Sequence, residues 1–353
     1  MDGPLAFAEA LLAHPTVPFH EEVAAQHCVK VAGELGIAVE RDAAGNVVLR
    51  RGRRSDAPLV LVAHLDHPGF VVDDVEGDRV AMTFHGGLAA SHAIEGSPVD
   101  FFRAGDHTGR GALVTVDETS GRLTGADAEV LDGEVSTDGI AMWGFPAWSI
   151  DDRLITARVC DDLLGVAAIL ACMAQATGDA PVVGLLTRGE EVGFLGTLEA
   201  IRLGTVPPGA SVISLECSKA LVNAPQGDGV IVRVGDRMSV FAPALTDSLR
   251  LAAERAGVAH QRKLMDGGAC EATAFCASGY RASGLAVALG NYHNASDDEQ
   301  GVAPETVCVD DWLAEVELLV ALVEDPSLLD ETPDPPQWLQ ERAAVAREKL
   351  GAG

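Results

Sequence analysis

Five polar groupings in this sequence follow short strand-like runs: His64 with Asp66, Asp161 with Asp162, Glu190 with Glu191, Glu216, and His293. In an open α/β sheet such residues collect at the carboxyl ends of the strands, where ligands are bound. Two imidazoles and several carboxylates suit borderline divalent metals such as zinc or cobalt, and the set offers no Ser or Cys nucleophile. If two ions share Asp161 as a bridging carboxylate, His64 and Glu216 complete one site and Glu191 and His293 the other. Each ion then keeps an open position, the mark of a catalytic rather than a structural site. Glu190 is left over. Adjacent side chains at a strand end point in different directions, so one Glu binds metal while the other faces the activated water as general base.

Taken singly, these residues have plainer explanations. The pair Asp161/Asp162 precedes a helical pattern and could cap it, and Glu190/Glu191 would also favour a helix N-terminus. A lone H-x-D, a lone Glu or a lone His is commonly structural. Their weight comes from appearing together, in order, at successive strand ends.

The elements that must position them follow from periodicity. Amphipathic helices are expected over residues 3–13 and 20–35, and strands over 46–50 and 59–64. The apolar run Leu59-Val60-Leu61-Val62-Ala63 has the form of a strand buried on both faces. Between residues 69 and 155 short alternating segments broken by Gly and Asp show no helical period, which predicts an inserted, β-rich domain. Strands are then expected near 181–187, 211–215, 230–234 and 285–289. Helices are expected over 162–176, 194–203, 243–256 and 305–324. This alternation implies an α/β fold with a mixed, largely parallel sheet sandwiched by helices. The expected division is a catalytic domain from residues 1–68 and 156–330, an inserted β domain over 69–155, and a tail over 331–353. In the tail, Pro333, Pro335 and Pro336 precede a short charged helix.

Of the 353 residues, 25 are Lys or Arg and 53 are Asp or Glu, a formal net charge of −28 that excludes a nucleic-acid binder held by phosphate contacts. A hydrophobic fraction of 48% supports a sizeable core. No apolar run approaches the ~18–20 residues that cross a bilayer, and Met1-Asp2-Gly3-Pro4 lacks the basic flank of a signal peptide. The seven cysteines contain no C-x-x-C pair and read as reduced thiols, so a cytoplasmic protein is expected.

Four segments carry a family resemblance: Ala63-His64-Leu65-Asp66-His67-Pro68-Gly69-Phe70, Asp161-Asp162-Leu163-Leu164-Gly165-Val166, Glu190-Glu191-Val192-Gly193-Phe194-Leu195-Gly196-Thr197 and Tyr292-His293-Asn294. They resemble the M42 family of dinuclear metallo-aminopeptidases (glutamyl aminopeptidase and tetrahedral aminopeptidase types) over about residues 5–325. The resemblance implies two divalent ions per subunit, zinc in the first place and cobalt or manganese next. His64, bridging Asp161 and Glu216 would hold one, and Glu191 and His293 the other. It further implies that Asp66 orients His64, that Glu190 is the general base toward a metal-bridging water, and that short peptides or aminoacyl compounds are the substrates of a homo-oligomeric enzyme. The 97 positions between His64 and Asp161 leave room for a whole domain, which is M42-like; M20-like relatives place theirs after the Glu-Glu motif, and M28-like ones keep the His and Asp close.

This chain departs from that pattern at three places. His67 stands where a Glu is usual, Glu216 where Asp is more common, and Gly267-Gly268-Ala269-Cys270-Glu271-Ala272 is one residue longer than the usual Gly-Gly-Thr-Asp-Ala segment. Glu271 or an open metal position is the candidate for a substrate ammonium. The nearest rival is a dinuclear deacylase or carboxypeptidase that anchors a carboxylate through Arg281 or Arg233. A non-catalytic metal-binding relative is a further alternative. His85-Gly86-Gly87 reads as a solvated loop, and Trp143 and Trp148 as packing at the domain junction.

Overall fold

The computed structural model describes residues 3–298 and 300–350. Strand Leu59–His64 runs through the middle of a twelve-stranded sheet, parallel to Val182–Thr187 on one side and to Ser211–Ser214 on the other. Arg281–Gly290 continues the parallel run beyond Ser211–Ser214. Every residue of Leu59–His64 and of Val182–Thr187 is buried, as a sheet covered on both faces requires. Leu59, Leu61 and Ala63 pack with helix Leu163–Gln175, whereas Val60 and Val62 pack with Ala200 and Phe275 from helices Leu195–Leu203 and Glu271–Ala277. One strand thus feeds two cores, and the expected sandwich follows from its alternation.

The inserted segment closes into a six-stranded antiparallel barrel built from Gly69–Glu76, Arg79–His85, Pro98–Arg103, Asp106–Thr119, Arg122–Gly133 and Ile140–Trp143. Closure leaves no free edge. Its core is aromatic: Phe70 meets Phe84 and Trp143 edge-on at ring separations of 4.9 and 5.2 Å. Trp143 therefore belongs to the barrel core rather than to the domain junction, while Trp148 packs against the main core.

Several boundaries differ from the sequence reading. The barrel ends at Trp143; Ser149–Asp151 and Leu154–Ala157, grouped above with the insert, pair into the main sheet beside Glu305–Cys308. Residues 305–308 are that strand and not helix, since β-branched Thr306 and Val307 occupy the ladder; the helix starts at Val309, with Asp310 and Asp311 in its first turn. Ala38–Arg41 and the polar segment His260–Met265 are further strands outside the sheet's buried centre, so they lack the apolar signature. Helix Gln337–Leu350 has no buried residue. Among the described residues no helix is long and apolar enough to cross a membrane.

Candidate metal centre and active site

His64 ends its strand and is 1% exposed. Its Nδ1 lies 3.0 Å from the backbone oxygen of Asp66, which turns Nε2 toward Asp161 Oδ1 at 3.5 Å and Glu190 Oε2 at 4.0 Å. His293 sits beyond the end of Arg281–Gly290 in a left-handed conformation, φ 55°. Its Nδ1 lies 2.6 Å from the carbonyl oxygen of Gly87, and its Nε2 faces Glu191 Oε1 at 3.0 Å and Asp161 Oδ2 at 3.6 Å. The two oxygens of Asp161 thus face two different imidazoles.

The carboxylates are held by backbone amides. The Glu190 and Glu191 amides donate to the two oxygens of the Asp66 carboxylate, each at 3.0 Å, and the Gly189 amide donates to buried Glu21 at 3.1 Å. The expected partnership of Asp66 with His64 is therefore realised differently. The Asp66 backbone oxygen orients the ring, while its carboxylate, 3.8 Å from Nδ1, fixes the Glu190-Glu191 turn. Asp162 caps the following helix by accepting from the Gly165 amide. Sequence reasoning missed Glu305, whose Oε2 accepts from the Cys160 and Asp161 amides at 2.7 and 3.0 Å and whose Oε1 accepts from the His293 amide at 2.9 Å. His67 joins the backbone oxygen of Asp161 to Asn294, at 2.6 and 3.0 Å.

Burial alone would lower both site imidazoles. The opposing charges of Glu190 and Asp161 at His64, and of Glu191 and Asp161 at His293, outweigh it and raise both well above the usual range. Burial raises Glu190 well above the carboxylate range and pushes Glu216 up to about 8 despite the nearby Arg233 and His64. Asp161 is buried too, yet the His293 and His64 rings that face its two oxygens hold it below the ordinary range.

This chemistry fits divalent cations. A carbonyl oxygen can only accept, so each Nδ1 is the donor and the neutral ring presents an Nε2 lone pair to carboxylate oxygens. That juxtaposition is repulsive unless protons or cations intervene. Among the described residues, the buried Asp161 Oδ1 and Glu216 Oε1 have no hydrogen-bond partner. Ligand atoms of His64, Glu190 and Glu216 lie within 4.8 Å of one another, as do those of Asp161, Glu191 and His293.

Arg233 is 3% exposed, and among the described residues no carboxylate oxygen lies within 4.0 Å of it and its Nε has no hydrogen-bond partner. Together with Glu216, Gly267, Gly268 and Tyr292 it lines a small cavity beside the centre. Arg281, the other expected anchor, sits at the far end of its strand, bonded to Asp330 and Ser211. Glu271 is fully buried, and its Oε1 accepts from the hydroxyls of Thr187 and Thr197. It ties helix Glu271–Ala277 to strand Val182–Thr187 and helix Leu195–Leu203, while its buried Oε2 has no hydrogen-bond partner among the described residues.

A family model described as M42 glutamyl aminopeptidase matches residues 125–298. No curated protein sequence matches. Among solved structures, the aminopeptidase APDkam598 from the archaeon Desulfurococcus kamchatkensis superposes with a TM-score of 0.79 at 17% identity, covering 95% of this chain and 98% of that one. The TET aminopeptidase from the marine sediment archaeon Thaumarchaeota archaeon SCGC AB-539-E09 gives 0.77 at 16% identity, over 92% and 98% of the two chains. Pyrococcus horikoshii TET1 peptidase, which can assemble into a tetrahedron or a large octahedral shell, gives 0.76 at 18% identity, over 91% and 99%.

Proposed function

We propose that the chain is a peptide hydrolase of the M42 type and, more finely, a dinuclear, metal-dependent aminopeptidase that removes the N-terminal residue of short peptides. The carrying observation is Asp161, whose two oxygens face His64 and His293 separately. In this reading His64, Asp161 and Glu216 hold one divalent ion and Asp161, Glu191 and His293 the other, with zinc favoured. When bound, such ions polarise the scissile carbonyl and make water a nucleophile at neutral pH.

The chain's own residues supply the proton transfers. Glu190 Oε2, 4.0 Å from His64 Nε2, takes a proton from water and returns it to the leaving nitrogen. Asp66 keeps it in place through the Glu190 and Glu191 amides. Arg233, buried beside Glu216 and without an ion pair among the described residues, supports recognition of an acidic first side chain. The assembled relatives support a homo-oligomer, and the reduced-thiol composition supports a cytoplasmic location.

Arg233 also favours a second reading, a deacylase or carboxypeptidase that uses the same guanidinium for a terminal carboxylate. Elemental analysis, together with hydrolysis of free and N-acetylated aminoacyl anilides in added zinc, cobalt or manganese, separates them. About two metals per chain with cleavage of free-amine substrates alone is the expected result. Cleavage of blocked substrates alone would move the function to deacylation, and the absence of metal under every condition would remove the ligand set.

A further inference from the structure

The barrel brings a cation to the rim of the centre. Its hairpin turn at residues 119–122 is stitched to the segment that follows Gly87. The Ala90 amide donates to the Gly121 oxygen and the Leu123 amide to the Leu88 oxygen, both at 3.0 Å, and Ala89 bridges Arg122. Leu123, 3% exposed, anchors this turn in the barrel core. The Arg122 side chain then crosses the face of Gly87. A Cβ placed at Gly87 would lie 3.1 Å from Arg122 Nη2 and 3.7 Å from His293 Nδ1. The guanidinium therefore stands beside the His293 ring, on the barrel side of the centre.

Its surroundings give this position a ligand. Arg122 is exposed, and among the described residues no carboxylate oxygen lies within 4 Å of it. In a chain of net charge −28, whose centre is built from Asp161, Glu190, Glu191 and Glu216, an anionic end of a substrate is otherwise repelled. A peptide extends by about 3.3–3.6 Å per residue. The free carboxylate of a leaving group one or two residues long thus ends close to the metal centre, and Arg122, beside the His293 ring, is a cation at its rim.

Resting on the aminopeptidase reading, we infer that Arg122 is a carboxylate subsite on the leaving-group side, selecting di- and tripeptides by their C-terminal carboxylate. Arg suits this role because its planar fork matches a carboxylate in a bidentate pair. It acts on binding of the leaving part and takes no part in proton transfer.

The test compares leucyl-alanine and glutamyl-alanine with their C-terminal amides, in the metal-loaded wild type and in Arg122→Gln and Arg122→Lys. In the wild type the free acid is expected to have a KM about tenfold below that of the amide. In Arg122→Gln this ratio falls to about one, and Arg122→Lys restores part of it. Equal KM values for acid and amide in the wild type, a ratio unchanged in Arg122→Gln, or a loss that strikes acid and amide equally would each overturn the inference. Aminoacyl anilides keep it distinct from the parent reading. Anilide cleavage without any carboxylate advantage defeats Arg122 alone, and cleavage of blocked substrates only defeats the aminopeptidase assignment.

Discussion

The carbonyl oxygen of Gly87, in the barrel, lies 2.6 Å from Nδ1 of His293, in the catalytic domain. The inserted domain therefore fixes the tautomer of one of the two imidazoles in the centre. The loop that carries Gly87 is seated on Pro68, because Gly86, at φ +109°, brings its backbone so close that an added Cβ would lie 2.8 Å from the Pro68 Cβ. Gly86→Ala introduces both the clash and left-handed strain. The expected outcome is a roughly 10–100-fold loss of metal affinity, the usual effect of disturbing a ligand's hydrogen-bond partner, with activity recovered at excess metal. A zinc titration that matches wild type would show that the Gly87 contact is dispensable.

Glu190 reaches the centre from a turn held by carboxylates behind it: Asp66 on its own amide and Glu21 on that of Gly189. Glu190→Gln preserves shape and removes the basic oxygen. We expect kcat to fall by about 10²–10⁴ with metal content retained. Near-normal turnover with full metal occupancy would take the base role away from Glu190.

The residues of the centre were legible because each parallel strand announces itself as a continuous apolar run, so the polar residue that ends it stands out; His64 after Ala63 is the clearest instance. What orients these residues was much less so. Gly87 acts through a backbone oxygen, which carries no residue-type signal, and Glu305 lay inside an apparent helical period that is a strand up to Cys308. A sequence displays side chains and so points from Asp66 to the His64 ring, but the Asp66 carboxylate accepts from the amides of Glu190 and Glu191. The same bias hid the strand His260–Met265, whose polar side chains conceal ladder hydrogen bonds to Val230–Asp236.

Removing the cations should make stability depend on pH. Without metal, Glu190 and Glu216 are raised by burial, and His64 and His293 are raised by the carboxylates that outweigh their burial. The metal-free fold then binds more protons than the unfolded chain above the normal carboxylate range, so its stability falls as pH rises toward and through 8, the raised value of Glu216. Metal replaces those protons. Thermal unfolding of chelated protein is therefore expected to drop between pH 6 and pH 8, while metal-loaded protein changes much less and unfolds several degrees higher at pH 8. Parallel curves for the two forms would mean that the carboxylate–imidazole cluster is not where the cations bind.

Arg233 and Glu216 line one cavity, and among the described residues no carboxylate oxygen lies within 4.0 Å of the guanidinium. A buried guanidinium left this way is costly, and burial opposes its charge, yet the acidic groups around it, Glu216 and Asp236 among them, raise it above its ordinary range. An acidic side chain entering the cavity would gain a charge-assisted pair in a site with little water. Glutamyl anilide is accordingly expected to be cleaved with a kcat/KM at least about tenfold above that of leucyl anilide. Arg233→Gln should abolish the difference chiefly through KM, since the side chain of the first residue is bound and not transformed. The buried change could also disturb Glu216, so metal content is measured on the same sample. Retained metal with a lost preference assigns Arg233 to the substrate, whereas retained metal with an intact preference removes it from recognition. Lost metal would assign Arg233 to holding Glu216 in place.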